Sequence, residues 1–271
     1  MYRLLAIDLD GTLLSPQKII TRRTYNALMQ AITAGMQLVI ATGQTLNVLR
    51  AVCADLPLTV PQIIYNGAII ADASTGAIVR EQLVPQEYIL STLARLQEMN
   101  LYRGYHTHEH VYVDHNTPGA QKWYRPPVPP ALEVADVASI YPQTCIKLVG
   151  IGDEGTLRAK RQQLEDLLAG QLYVTQASRD LLEFLHPAAS KGNALKFLAE
   201  ELAIAPEEIV AIGDNHNDIG MLTFAGLGIA MGNAHDEVKA AATYVTSRNS
   251  KDGVAVALEK MVLPYLEAAS S

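Results

Sequence analysis

The sequence predicts an α/β fold built on a parallel sheet and interrupted by an inserted α+β layer. Three observations carry that prediction. First, short apolar runs recur as RLLAIDLDGT (3–12), MQLVIATGQ (36–44) and EEIVAIGDNHND (207–218), and each ends abruptly in polar or acidic residues. Such continuous Leu, Ile and Val runs suit strands covered on both faces, hence parallel pairing. Second, the segment joining the first two runs has helical spacing, and the C-terminal third repeats the alternation of strand and helix. Third, residues 84–186 change character, mixing hairpins with helices as a separate layer does. The expected division is therefore residues 1–83 and 187–271 in one domain, with 84–186 inserted.

Each element follows from local chemistry. Between the first two strands, Tyr25, Leu28, Met29 and Ile32 fall at i, i+3, i+4 and i+7, one face of a helix. Thr21 can cap its start and Gly35 its end. This is a βαβ unit with a right-handed crossover. Ligands of open α/β sheets bind beyond the carboxyl ends of the strands, so the three polar endings should converge there. In the insertion, a helix runs from Pro85 to Met99 and a hairpin from Tyr102 to Asp114. The Pro-rich RPPVPP (125–130) leads to the strand CIKLVGIG, a helix from Glu154 to Leu168, and the strand pair QLYVTQA and LLEFLH. A helix then starts at Ser190 and continues through KGNALKFLAEEL, and the strand IVAIGD follows. NDIGMLTFAG is helical, LGIAM a strand, HDEVKAAA a short helix and YVT a short strand. The last helix, DGVAVALEKMVLPYLEAA, is ended or kinked by Pro264.

Composition bounds the function. At about 150 residues per domain, 271 residues suggest roughly 1.8 domains. With 49% hydrophobic and 18% charged residues, the chain is not intrinsically disordered. Twenty-one Lys and Arg against 28 Asp and Glu give a net charge of -7, which excludes a sequence-independent nucleic-acid binder. No apolar run is long enough for a membrane helix. The apolar stretch Leu4–Ile7 is too short for a signal peptide, so a cytoplasmic protein is expected. Cys53 and Cys145 stand 92 residues apart and read as buried small hydrophobes of a reduced chain.

The strand endings hold the chemistry. Asp8 and Asp10 are two residues apart and can project to one side, where they repel each other unless a cation or a shared proton intervenes. Gly11 permits a tight turn and Thr12 can hydrogen-bond within it. Taken alone, DLDGT also suits a turn or helix cap. GDNHND (213–218) adds Asp214 and Asp218 at another strand end. Hard oxygens from Asp8, Asp214 and a backbone carbonyl suit Mg²⁺, while Asn217 or Asp218 alone could simply cap the next helix. Thr42 and Gly43 end the second strand, where a hydroxyl and backbone N–H groups can hold an anion. Lys191 starts a helix, a position where a cation opposes the macrodipole.

Taken together, DLDGT, ATG, SKGNAL and GDNHNDIGML, with YNGAII (65–70) ahead of the insertion, resemble the haloacid dehalogenase-like (HAD) phosphatases. Within them the chain resembles the Cof-type hydrolases with a large α/β cap, of type IIB. The resemblance spans the whole chain. It implies a Rossmann-like core, an inserted cap, and Mg²⁺-dependent hydrolysis of small phosphorylated metabolites such as sugar phosphates. It further implies Asp8 as the nucleophile that becomes an aspartyl phosphate. Asp10 would be the acid that protonates the leaving alkoxide and then the base that activates water. Asp8, the Asp10 carbonyl and Asp214 would hold the metal, with Asp218 as a ligand or a support. Thr42, Gly43, Lys191 and Asn217 would contact the phosphoryl group.

One position departs from the family. Arg usually follows the Thr-Gly pair, and this chain has Gln44. Loss of a fixed charge and a two-bond grip predicts weaker attraction for a second anionic group on the substrate. Alternatives to hydrolysis are a phosphosugar mutase on the same core and a phosphate-sensing module; Asp10 speaks against the sensor. HTHEH (106–110) is expected to be a solvated hairpin rather than a zinc site, with His106, His108 and His110 touching substrate if they have a task. Trp123 beside RPPVPP is expected to lie in a stiff loop.

Overall fold

The computed structural model describes residues 1–114, 124, 128 and 130–269. They form two compact units, Met1–Val79 with Ser190–Ser271, and Arg80–Ala189. In chain order the elements are β1 (Leu4–Ile7), α1 (Arg22–Thr33), β2 (Gln37–Ile40), α2 (Leu46–Val52), β3 (Gln62–Ile64), β4 (Ile69–Ala71) and β5 (Ile78–Glu81). The second unit continues with α3 (Gln86–Glu98), β6 (Tyr102–His106), β7 (Val111–Val113), β8 (Ala131–Glu133), β9 (Lys147–Ile151), α4 (Glu154–Leu167), β10 (Tyr173–Ser178) and β11 (Leu181–Leu185). The chain returns through α5 (Lys191–Glu201), β12 (Ile209–Gly213), α6 (Ile219–Phe224), β13 (Leu227–Ala230) and α7 (Asp236–Ala241). It ends with β14 (Tyr244–Val245), α8 (Gly253–Met261) and α9 (Leu263–Ala269).

The first unit carries a five-stranded sheet, ordered β14-β13-β12-β1-β2 and parallel throughout. A parallel bridge between Ala41 and Ile63 carries the pairing on toward β3. Every residue of β1 and β12 is buried, as their unbroken apolar runs require. Thr21 caps α1, its hydroxyl accepting from Thr24 N at 3.2 Å. The buried face of α1 is Thr24, Ala27, Leu28 and Ala31, while Tyr25, Met29 and Ile32 are only half-buried. The helix is therefore turned by about one residue from the face expected, with only Leu28 common to both faces. Ser190 caps α5 in the same way as Thr21, accepting from Asn193 N at 3.1 Å. The C-terminal helical segment is two helices rather than one. It breaks at Val262, two residues before Pro264, whose ring cannot share a turn with the carbonyl four residues back.

The inserted unit is a six-stranded sheet, ordered β10-β11-β9-β6-β7-β8, antiparallel except for the β7–β8 pair. On one face Tyr105, Leu148, Leu182 and Phe184 pack against Ile89, Leu93 and Leu96 of α3 and Leu157 and Leu164 of α4. The opposite face combines Val113, Val149, Ile151 and Leu181 with Tyr124. The same face carries an ion pair between Lys147 and Glu183, both buried.

His106 corrects the expectation of a solvated HTHEH hairpin, because its ring is buried, lying 3.4 Å from the Tyr124 hydroxyl. His108 does sit on the surface, against Glu81 at 2.8 Å. Among the described residues no metal-binding cluster involves these histidines. Trp123 and most of RPPVPP lie outside the described residues. Cys53 and Cys145 are both buried free thiols. Burial raises the Cys53 thiol to about 12 and pushes Cys145 well above its usual range. Among the described residues no helix is long and apolar enough to cross a membrane.

Candidate active site

The polar ends of β1, β2 and β12 do meet. Asp8 directly follows β1, and its N–H donates to Ile212 O at 3.0 Å, carrying the ladder one residue past the strand. The chain then leaves in a wide turn closed by Leu13 N on Asp8 O at 3.1 Å. Gly11 sits in this turn at φ +87°, and a Cβ there would lie 2.4 Å from Asp214 Oδ2, so only glycine fits. Thr12 Oγ1 donates to Asp214 Oδ1 at 2.9 Å, tying the first strand end to the third. Gly213 is tightly confined as well: a Cβ there would come within 2.5 Å of the Asp218 Cβ.

Lys191, delivered by the first turn of α5, is buried at the centre. Its Nζ lies 2.6 Å from Asp8 Oδ1 and 2.7 Å from Asp218 Oδ1. Asp218 Oδ2 accepts from Asp214 N at 2.9 Å and Asn215 N at 3.0 Å, so both of its oxygens are engaged. Asp8 Oδ2 is buried and has no hydrogen-bond partner. Carboxylate oxygens of Asp8, Asp214 and Asp218 lie within 4.8 Å of one another, a set able to hold a metal ion.

Three carboxylates against one ammonium leave surplus negative charge, and the ionisation behaviour follows from it. Burial alone would pull Lys191 down, but Asp218 and Asp8 together outweigh it and hold the ammonium charged well above the ordinary lysine range. Burial drives Asp8 well upward; Lys191 opposes this, while Asp218 and Asp214 add to it. Asp214 rises to about 6, through burial first and Asp218 second. A divalent cation would relieve this strain, and the carboxylate oxygens gathered there are the hard ligands it takes. The residues fit the Mg²⁺ that the motifs imply.

Thr42, buried at the end of β2, donates from its N–H to Ile63 O at 2.9 Å and accepts from Asn66 N at 2.9 Å through its carbonyl. Asn217 Nδ2 donates to Asn66 Oδ1 at 2.9 Å, joining the Asn217 turn to that loop. Asn66, in left-handed backbone at φ 56°, is a residue the sequence reading did not single out, although the Asn-Gly pair in YNGAII is a turn signal. Asn233 was missed as well. Its Nδ2 donates to Gly11 O at 2.9 Å and Asp214 Oδ2 at 3.1 Å, and its Oδ1 accepts from Asn249 N at 2.9 Å. It lies just past β13, so the rule of polar strand endings would have found it.

Gln44 does not stand open toward a substrate anion. Its Nε2 donates to Asp10 Oδ2 at 2.8 Å, while Lys18 Nζ lies 2.6 Å from Asp10 Oδ1.

Comparisons with known proteins identify the family. The haloacid dehalogenase-like hydrolase family matches residues 5–258. The 5-amino-6-(5-phospho-D-ribitylamino)uracil phosphatase YcsE of Bacillus subtilis (strain 168) is 32% identical over 262 residues, covering 96% of each chain. The pyridoxal phosphate phosphatase YbhA of Escherichia coli (strain K12) is 32% identical over 269 residues, covering 93% of this chain and 96% of its own. In fold the chain is similar to the subclass IIB sugar phosphatase BT4131, with a TM-score of 0.84 at 22% identity over 96% of this chain and 99% of that one. With a parallel core sheet, an inserted mixed-sheet unit and a buried acidic site at the strand ends, the chain belongs to the haloacid dehalogenase-like hydrolases, in their Cof-type phosphatase family.

Proposed function

We propose that this chain hydrolyses small phosphorylated metabolites, sugar phosphates among them, through an aspartyl phosphate on Asp8. The observation that carries this reading is the asymmetry of Asp8: Lys191 holds Oδ1, and Oδ2 is buried and uncommitted. A carboxylate fixed by one oxygen and free at the other is prepared to attack phosphorus. In the first half-reaction an Asp8 oxygen bonds to phosphorus, the ester P–O bond breaks, and Asp10 gives its proton to the departing alkoxide. In the second, water attacks the phosphoryl group, Asp10 takes the proton, and phosphate leaves with Asp8 restored. Lys191, the Thr42 hydroxyl, the Gly43 N–H and Asn217 hold the phosphoryl oxygens, supplying the positioning and charge neutralisation that phosphoryl transfer demands.

Asp8, the Asp10 carbonyl and Asp214 would hold Mg²⁺, which would neutralise charge on the transferring group. Asp218 instead supports the site: with Lys191 and two backbone N–H groups on its oxygens, it fixes Lys191 and the 214–215 turn. Names of relatives span pyridoxal phosphate and a ribityl phosphate, so the test is a panel. Phosphate release from hexose phosphates, pyridoxal 5′-phosphate and 5-amino-6-(5-phospho-D-ribitylamino)uracil should require Mg²⁺ and vanish in Asp8→Asn. Turnover that survives Asp8→Asn, or complete metal removal, refutes the mechanism.

A further inference from the structure

We propose that Gln44 is the positioning residue for Asp10, and that through Asp10 it governs how well poor leaving groups depart. The inference rests on the phosphatase reading and adds a residue to it. Asp10 is a half-exposed carboxylate with a donor on each oxygen, Gln44 Nε2 at 2.8 Å on Oδ2 and Lys18 Nζ at 2.6 Å on Oδ1. Held from two sides, the carboxylate cannot rotate freely about its Cβ–Cγ bond. A proton donor has to sit within about 2.6–3.2 Å of the leaving oxygen, so its orientation matters as much as its presence.

The two donors are not equivalent. Lys18 extends a flexible stem from a turn in left-handed backbone, φ 60°, and its side chain is 66% exposed. An ion pair so open to water adds little constraint. Gln44 is tethered at both backbone groups. Its N–H donates to Thr42 Oγ1 at 3.1 Å, and its carbonyl accepts from Tyr65 N at 3.1 Å. The same segment carries Thr42 and Gly43, so the amide that orients the acid is built into the loop assigned to the phosphoryl group. A neutral amide accomplishes this without adding a cation to the crevice, in contrast to the Arg usual at this position.

The test compares kcat/KM for glucose 6-phosphate, a poor leaving group, with that for p-nitrophenyl phosphate, which needs little protonation. Gln44→Ala should lower the first by about tenfold through kcat, a fraction of the hundredfold or more that a positioned acid contributes. The second should change less than about twofold, because the leaving group departs largely unaided. Gln44→Glu keeps the size and the backbone tethers but faces Asp10 with a second carboxylate, and should show the same selective loss. In an Asp10→Asn background the Gln44→Ala loss should disappear, since Gln44 acts through Asp10. Equal losses on both esters, a change confined to KM, or an undiminished loss in Asp10→Asn would overturn the role of Gln44. A wild-type protein that releases no phosphate from either ester in Mg²⁺ would instead overturn the phosphatase reading itself.

Discussion

Lys191 is a residue whose location contradicts its chemistry unless its partners are counted. An ammonium at the start of a helix, buried to 1% exposure, is tolerated because Asp8 and Asp218 lie within 2.7 Å of it. Removing it leaves carboxylates buried without compensation, so Lys191→Met should cost about 3–5 kcal/mol of stability as well as activity. Urea denaturation in metal-free buffer measures this, and a cost below about 1 kcal/mol would mean the pair is solvated. The same surplus of negative charge predicts that Mg²⁺ stabilises the folded chain, by about 2.7 kcal/mol at a hundred times its Kd. Asp214→Asn should abolish most of that thermal shift. Cys53 and Cys145 make a contrasting case: burial disfavours both thiolates, so neither should react with a thiol reagent at neutral pH until the chain unfolds. Rapid labelling of the native protein would contradict their placement.

At the scale of elements, the turns that follow the strands are more demanding than the strands. Gly213→Ala would drive a methyl into Asp218, which holds Lys191 and two N–H groups, so it should reduce kcat far more than Ala substitutions within β12 itself. Steady-state kinetics beside a melting curve separates the two effects. The strands were legible because an apolar run such as LLAI or IVAIG has no alternative to burial on both faces. Asp8, Asp214, Thr42 and Lys191 were legible because each follows directly from such a strand or starts a capped helix. Other features were not. β8 has three residues, two of them exposed, and offers no alternation to read. The burial of His106 depends on the sheet face it shares with Lys147 and Tyr124, a relation that local pattern does not contain. Gln44 looked like a substrate-facing side chain because its partner, Asp10, is 34 residues away along the chain.

Across the molecule, the two units should answer differently to acid. Burial, and secondarily the charge of Lys147, hold His106 in the inserted unit well below the ordinary histidine range. The unfolded chain therefore takes up a proton near pH 6.5 that the folded unit refuses. Stability is fully present above about pH 6.5 and falls as pH drops below it, by up to about 1.4 kcal/mol per pH unit. Denaturant midpoints at pH 7.5 and 5.5 should show this loss, and His106→Gln should flatten it. The order β2-β1-β12 has a further consequence, one of timing. β1 and β2 are synthesised in succession and can pair at once, yet the other neighbour of β1 starts at Ile209, after the entire insertion. Throughout that interval the nascent first unit presents an unpaired apolar edge, and Asp8 has neither Lys191 nor Asp214 beside it. The complete site is thus withheld until the chain beyond the insertion has been made: a chain cut short anywhere in the insertion carries Asp8, Asp10, Thr42 and Gly43 but lacks Lys191, Asp214 and Asn217.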